Sequence, residues 1–508
     1  MRTLVAGIDS GTQSTKALVV NAGNGRVEGE GSSAYGLIEG LPPGAKEQHP
    51  EVWKQAAQKA LRMALRQAGA RTGEVRALGV SGQQHGFVPV DKHGEVIRPA
   101  KLWCDTTTGE ECVQLTEKLG GSRRVTKLLG NAILPGFTAS KILWLKDHEP
   151  RNFSRLSKVL LPHDYLNFWL TGKMTMEYGD ASGTALLDVR RRRWCEEAMA
   201  AIDADLPGKF PPLQSSAEPA GSLRPEVAKA LGLGAGVWVS AGGGDNMMGA
   251  IGTGNTRPGV ITASFGTSGT IYACSEKPVV DPDGEIAAFC DSTDQWLPLL
   301  CTMNVTVATE MLRKCFGWDH RKFEREASRV PAGSMGLLLL PYLEGERTPN
   351  VPEGTGVFLG VNPGTFHPGV FARSAMEGVT LGMNYGLRKL EQLGVRPAQI
   401  RATGGGARSA LWRQIMADVF NTEVVTLKVG EGAAYGAALQ ALWCWRRQEG
   451  ERVEIHEITD RFVKINSGQS ASPNAEAAAR YRERQALQDR LSVALRPLFP
   501  AQRKFQQA

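Results

Sequence analysis

Apolar positions recur along the chain in two rhythms. Short runs of four to six read as strands, and stripes at three- and four-residue spacing read as helices. The runs Leu4-Val5-Ala6-Gly7 and Ala17-Leu18-Val19-Val20 flank the polar stretch Asp9-Ser10-Gly11-Thr12-Gln13-Ser14-Thr15-Lys16. Val260-Ile261-Thr262-Ala263 and Ile271-Tyr272-Ala273 flank Ser264-Phe265-Gly266-Thr267-Ser268-Gly269-Thr270 in the same way. Both predict a β-hairpin closed by a turn of small residues. Such a turn offers backbone N–H groups and hydroxyls to an anion with no bulky side chain in the way. Helices are predicted over 51–66, 106–119, 139–148 and 411–420. Strands are predicted at Val75–Val80, Phe87–Val90, Gly236–Ala241 and Ile400–Thr403. Residues 204–225, rich in Pro, Ser and Gly, read as irregular connection. The 474–490 stretch reads as a peripheral helix with Asn474 as its N-cap.

A second echo accompanies the hairpins. The strand ending at Ala241 runs into Gly242-Gly243-Gly244-Asp245-Asn246, and the strand ending at Thr403 into Gly404-Gly405-Gly406-Ala407-Arg408-Ser409. A strand feeding three glycines into a helix N-terminus makes a surface that a ligand can approach closely. Two hairpins and two glycine turns, half a chain apart, predict a duplicated α/β domain with a polyphosphate held between the halves. The boundary is placed near Asn255-Thr256-Arg257-Pro258, giving domains 1–256 and 257–508 of the 508 residues.

Composition narrows the class. Hydrophobic residues make up 42% and charged residues 22%, as in a globular protein with ample core. The net charge of +7 is mild, and the densest run, Arg190 to Arg193, has no interleaved aromatics, so it reads as a solvated loop rather than a nucleic-acid patch. Eight cysteines form no CxxC pair and no Cys/His ligand spacing, which predicts reduced thiols without structural zinc. A cleaved leader would remove the Asp9 turn, and no apolar run approaches the roughly 20 residues of a membrane span. A cytoplasmic protein that binds neither membrane nor nucleic acid is expected.

Taken together, these elements resemble the FGGY carbohydrate kinases, and among them most closely the xylulokinases, over nearly the whole chain. Gly136-Phe137-Thr138-Ala139-Ser140-Lys141-Ile142-Leu143-Trp144 is similar to one family signature. Gly356-Val357-Phe358-Leu359-Gly360-Val361 with Ala372-Arg373-Ser374-Ala375-Met376-Glu377-Gly378 is similar to the other, and Pro341 to Pro349 also fits the family pattern. The resemblance implies the duplicated actin-like ATPase (ribonuclease H-like) fold. Its two α/β domains close over a central cleft, with sugar mainly on the first and nucleotide mainly on the second. It also implies ATP and Mg²⁺ as the requirements of the reaction, and a homodimer is one assembly open to the chain.

Roles follow from the resemblance residue by residue. A carboxylate just past a glycine run at a strand end suits either a cleft-facing base or a helix N-cap, and the resemblance assigns Asp245 as the base that takes the proton from the attacking sugar hydroxyl. Asp9 is placed near Mg²⁺ and the phosphates, with Thr12, Ser14 and Lys16 as further phosphate contacts. Gly266, Thr267 and Ser268 form the second phosphate clamp, and Gly405, Gly406 and Ser409 lie on the adenosine side. Gln84, His85, Trp103, Asp105 and Asn246 are the sugar contacts. One departure bears on the sugar. Many relatives carry arginine two positions after the Asp105 equivalent, where this chain has Thr107, so a five-donor fork is missing. The resemblance thus implies phosphorylation of D-xylulose to D-xylulose 5-phosphate, with another ketose, a polyol or a sugar acid as the alternative. More remote is an actin-like nucleotide switch without kinase activity.

Overall fold

The computed structural model describes residues 2–507. The chain forms two compact units, the first comprising Met1–Arg257, Cys274–Leu297 and Glu431–Lys464, the second Pro258–Ala273, Pro298–Gly430 and Ile465–Ala508. The first thus takes back two segments from beyond residue 257.

In the first unit, β1 (Leu4–Ser10) and β2 (Ser14–Asn21) form the first hairpin, and β3 (Val27–Ala34) lies antiparallel beside β2. On the other side of β1, β4 (Val75–Gly82) runs parallel to it. β5 (Trp238–Ser240) and the two-residue β6 (Gly243–Gly244) run parallel to β4. Leu4, Val5, Ala6, Ile8, Val19 and Val20 are at most 1% exposed, the mark of a strand pair covered on both faces. One face takes the Pro50–Gln67 helix, which starts on a proline at its first turn and buries Trp53, Ala57, Ala60, Leu61 and Ala64. The other takes the Gly432–Gln448 helix. It comes so close that a Cβ on Gly7 would stand 2.0 Å from the carbonyl oxygen of Ala434, and one on Gly79 2.0 Å from that of Ala437.

The second unit repeats the plan. β7 (Val260–Phe265) and β8 (Gly269–Ala273) form the second hairpin, and β9 (Trp296–Thr302) is antiparallel to β8 through its residues 299–302. β10 (Gln399–Thr403) runs parallel to β7, and β11 (Val424–Val425) parallel to β10. The order β3-β2-β1-β4-β5 is therefore matched in position and direction by β9-β8-β7-β10-β11. The duplication anticipated from the hairpins and glycine turns exists at the level of sheet topology.

Three expectations change. The stretch 204–225 is not wholly irregular, since Leu213–Gln214 and Pro219–Ser222 pair as short strands. The Ala475–Leu495 helix is capped by Asn474 but is not peripheral. Tyr481 is 1% exposed and donates to Glu377 Oε1 at 2.7 Å, while Gln488 Nε2 donates to the carbonyls of Leu339 and Gly378, both at 2.9 Å. The arginine run is also partly engaged: the Arg192 guanidinium stacks 3.9 Å from the Trp296 ring centre. All eight cysteines are free thiols. Among the described residues no helix is long and apolar enough to cross a membrane.

Candidate functional site

Each unit gathers expected site residues at the ends of its central strands. In the first, sheet register places Asp9 opposite Lys16 on β2 and opposite Ser81 on β4, and Ser81 in turn opposite Gly243 on β6. Asp245 begins the Asp245–Gly252 helix immediately after β6, so residues 236 positions apart in sequence converge at neighbouring strand ends. The N-cap of that helix is Gly244, so Asp245 stands at the first position inside it.

The segment that leads to Asp245 is held on several sides. Gln440, fully buried in the Gly432–Gln448 helix, accepts from Ser240 Oγ at 2.8 Å and from the Gly242 N–H at 2.9 Å. Its amide donates to the carbonyls of Gly242 and Ser292 at 3.1 and 3.2 Å. Asn167 Nδ2 donates to the Ala241 carbonyl at 2.7 Å. Beyond the turn, Asn246 Nδ2 donates to Gln84 Oε1 at 2.7 Å and to Asp245 Oδ1 at 3.0 Å, joining three expected residues in one chain of bonds.

Electrostatics sets the two carboxylates apart from ordinary surface acids. Burial pushes Asp245 up to about 7; the Asp9 charge adds to this, the Asn246 backbone N–H opposes it, and Asp180 contributes a smaller upward push. Burial likewise pushes Asp9 up to about 6, against a hydrogen bond from Ser81 Oγ at 2.9 Å and the nearby Lys16. Two desolvated acids that repel each other are strained as a pair of anions. A cation would relieve that strain. Mg²⁺ takes oxygen ligands and is often held by one or two carboxylates together with substrate phosphates and water. Among the described residues no group of three or more His, Cys, Asp or Glu side chains could hold a metal. The all-oxygen pair thus fits Mg²⁺ shared with phosphates, not a metal caged by protein alone.

Around this core the first hairpin turn is tied to the loop that carries Trp103. Trp103 is 40% exposed, and its indole N–H donates to Thr12 Oγ1 at 3.0 Å; Thr12 Oγ1 donates to Gln83 Oε1 at 3.1 Å. The ring is thereby fixed at its edge. Ser14 closes the turn, its carbonyl accepting from the Gly11 N–H at 3.0 Å. Lys16 is bound to Glu431 at 2.7 Å, both half exposed. His85 is 8% exposed and packs against Phe137 and Phe289. Asp105 is fully buried. It accepts from the Lys46 and Thr107 N–H groups, from Thr107 Oγ1 and from Lys101 Nζ, so it braces the loop behind Trp103. Where the sequence lacks an arginine, Thr107 Oγ1 accepts from Lys101 Nζ at 2.8 Å.

In the second unit, the Gly266–Ser268 turn and the glycine run after β10 meet backbone to backbone. Gly404 has φ +82°, and a Cβ there would stand 2.6 Å from the Phe265 carbonyl oxygen, so only glycine fits. Thr267 and Gly405 are exposed, whereas Gly406 is buried. The carbonyls of Gly266 and Thr267 accept from the N–H groups of Thr306 and Val305 at 2.9 and 3.0 Å, which fixes the turn from behind. The Ser409 hydroxyl caps the Ala410–Phe420 helix and donates to Glu324 Oε1 at 2.7 Å.

Sequence reasoning missed Ser81, Gln83, Glu431 and Gln440. Only Glu431 had a local signal, the Gly430-Glu431-Gly432 turn before a long helix. The others are recognised by bonds to partners distant in sequence, which a single sequence does not display.

Comparison with known proteins adds to this geometry. Residues 4–252 match the N-terminal domain of the FGGY family of carbohydrate kinases, and residues 261–445 its C-terminal domain. A xylulose kinase of Haemophilus influenzae is 42% identical over 481 residues, covering 94% of this chain and 96% of that protein. A xyloylose kinase of Brucella ovis has a solved structure that matches with a TM-score of 0.89 at 31% identity, covering 98% of this chain and 100% of that one. A gluconate kinase of Lactobacillus acidophilus matches with a TM-score of 0.90 at 24% identity over 99% of this chain and 100% of that one, a likeness of fold.

Proposed function

The chain belongs to the FGGY family of carbohydrate kinases, and from that premise we propose that it transfers the γ-phosphoryl group of ATP to D-xylulose, with Asp245 as general base, giving D-xylulose 5-phosphate. The observation that carries this reading is the placement of Asp245. It is a partly buried carboxylate with a pKa raised to about 7, bonded to Asn246 and aligned with Asp9 at the strand ends. A base is most effective when its pKa lies near the working pH.

In the reaction, the 5-hydroxyl oxygen forms a bond to γ-phosphorus as the bond to the β–γ bridging oxygen breaks. ADP departs and the hydroxyl proton moves to Asp245. Asn246 and Gln84 hold the carboxylate and the sugar hydroxyls in register. His85 supplies a further polar contact, and the exposed face of Trp103 covers the apolar side of the sugar. Asp105 acts at one remove, by bracing the Trp103 loop. Thr12, Ser14 and Lys16 in the first hairpin, and Gly266, Thr267 and Ser268 in the second, offer N–H groups, hydroxyls and one ammonium to the phosphates. Gly405 and Gly406 admit the adenosine. Ser409 shapes that surface through its helix cap. Asp9 would hold Mg²⁺, which when bound supplies positive charge against the phosphates. Keeping Lys16 beside Asp9 and Glu431 maintains a cation there before nucleotide arrives.

Thr107 favours a second reading, since its hydroxyl is occupied by Asp105 and Lys101 and offers no fork to a substrate. In that case the acceptor is another ketose, a polyol or a sugar acid. A coupled ADP-release assay over a panel of free ketoses, polyols and aldonic acids tests the choice. The proposal expects D-xylulose to have the highest kcat/KM, and a clear preference for any other acceptor refutes the substrate assignment.

A further inference from the structure

Beneath the end of β4, which leads into Gln84 and His85, lies a group of ionisable side chains that the proposed chemistry does not use. His163, Asp164, Glu177 and Asp180 are each at most 1% exposed. His163 Nδ1 lies 2.8 Å from Asp180 Oδ2, and its Nε2 3.0 Å from Asp164 Oδ1. Burial alone would lower the His163 pKa, but the neighbouring carboxylates, Asp164 and Asp180 foremost, outweigh it and raise it to about 9. Glu177 fixes the Tyr178–Ala181 turn by accepting from the N–H groups of Gly179 and Asp180 at 2.7 and 2.6 Å.

Asp180 uses one oxygen on His163. The other, Oδ1, is buried without a hydrogen-bond partner among the described residues and stands 3.9 Å from Nδ1 of His85. His85 is seated for that approach. Its backbone is left-handed, with φ 59°, a conformation that non-glycine residues adopt where surrounding structure enforces it. Its carbonyl accepts from Lys141 Nζ at 2.9 Å and Thr138 Oγ1 at 3.1 Å, so the family-signature lysine holds the strained residue in place. The ring lies down over Gly183, where a Cβ would stand 1.9 Å from Nδ1. A buried carboxylate oxygen left without a donor is strongly unfavourable. At 3.9 Å the two atoms are not hydrogen-bonded, but a small turn of the imidazole would bring an Nδ1–H onto that oxygen, removing the penalty and fixing the tautomer.

We propose that Asp180, fixed by His163, is a positioning residue that holds the His85 imidazole with its proton on Nδ1, leaving Nε2 as an acceptor for a hydroxyl of an acyclic sugar. The inference rests on the reading of His85 as a sugar contact. Its substrate class is therefore a polyhydroxylated chain that donates a hydrogen bond at that point.

The test uses the full chain with ¹⁵N-labelled histidine and no ligand, assigning the His85 ring nitrogens by their loss in His85→Gln. Wild type is expected to carry its ring proton on Nδ1. Asp180→Asn is expected to lose that tautomer preference and to raise the sugar KM about tenfold while the ATP KM stays within twofold. Should Asp180→Asn fail to fold, Gly183→Ala serves in its place. It displaces the ring while leaving every charge present, and the same split between sugar and ATP KM is expected. A wild-type His85 protonated on Nε2 overturns the proposal, as does either folded variant that leaves both the His85 signals and the sugar KM at wild-type values. If His85→Gln keeps a wild-type sugar KM while the wild-type ring is protonated on Nδ1, the sugar-contact reading of His85 falls and its positioning by Asp180 stands.

Discussion

Replacing Asp245 with asparagine should make the folded protein more stable at alkaline pH while removing turnover. The Asp245 pKa is raised from 3.8 to about 7, chiefly by burial and then by Asp9. A raised carboxylate pKa means that the folded state prefers the protonated acid. Its stabilising effect is complete below the unfolded-state pKa and is lost as pH rises through about 7. Three units correspond to about 4 kcal/mol at about 1.36 kcal/mol each. Because Asp245 keeps part of its surface in solvent, roughly 2 kcal/mol is the better figure. Asparagine has the same shape and carries no charge, so Asp245→Asn escapes the penalty. Between about pH 5 and pH 8 its stability advantage over wild type should widen by roughly 1–2 kcal/mol. Urea unfolding followed by tryptophan fluorescence at the two pH values measures that change, and a steady-state assay should find kcat lowered about 10²–10⁴-fold. An advantage that is the same at both pH values would refute the electrostatic reasoning, even if activity were lost.

Further outcomes follow from the same geometry. In wild type, kcat/KM for the sugar should fall about tenfold per unit below about pH 7, because the free enzyme must hold Asp245 ionised; a flat profile from pH 5 to 8 would count against it. Gly404→Ala forces a methyl against the Phe265 carbonyl at a left-handed position and should raise the ATP KM by about tenfold or more, leaving the sugar KM near its wild-type value. Trp103→Ala should show the reverse split, with the sugar KM up about tenfold. Gln440→Leu strands the polar groups of Ser240 and Gly242 and should cost about 1–3 kcal/mol in chemical unfolding, together with a loss of kcat as the Asp245 turn loosens.

The parts of this molecule written in local pattern were readable from the chain. Both hairpins are continuous stretches in which apolar strands bracket a glycine turn. The 3.6-residue stripe of Pro50–Gln67 and the cap at Asn474 also depend on near neighbours alone. Residues whose meaning comes from distant partners were harder to read. Asp105 is bonded to Lys46, Lys101 and Thr107, and Lys16 is paired with Glu431 2.7 Å away, and neither the Lys46 bond nor the Glu431 pair shows in local pattern. Gln440 lies in a small-residue helix and has no local signal, because its importance arises from bonds to a turn 198 residues earlier. The Ala475–Leu495 helix looked peripheral because its buried side includes Tyr481, Gln485 and Gln488, polar residues satisfied by partners far away in sequence.

The central claim is that Asp245 activates a sugar hydroxyl for attack on ATP. Rapid-quench single-turnover kinetics with γ-labelled ATP, Mg²⁺ and D-xylulose test it most directly, comparing wild type with Asp245→Asn at matched nucleotide occupancy. The account predicts rapid formation of labelled D-xylulose 5-phosphate by wild type, and by the variant a rate at least about 10²-fold slower with ATP bound equally well. Labelled sugar phosphate formed by the variant at the wild-type rate would contradict it.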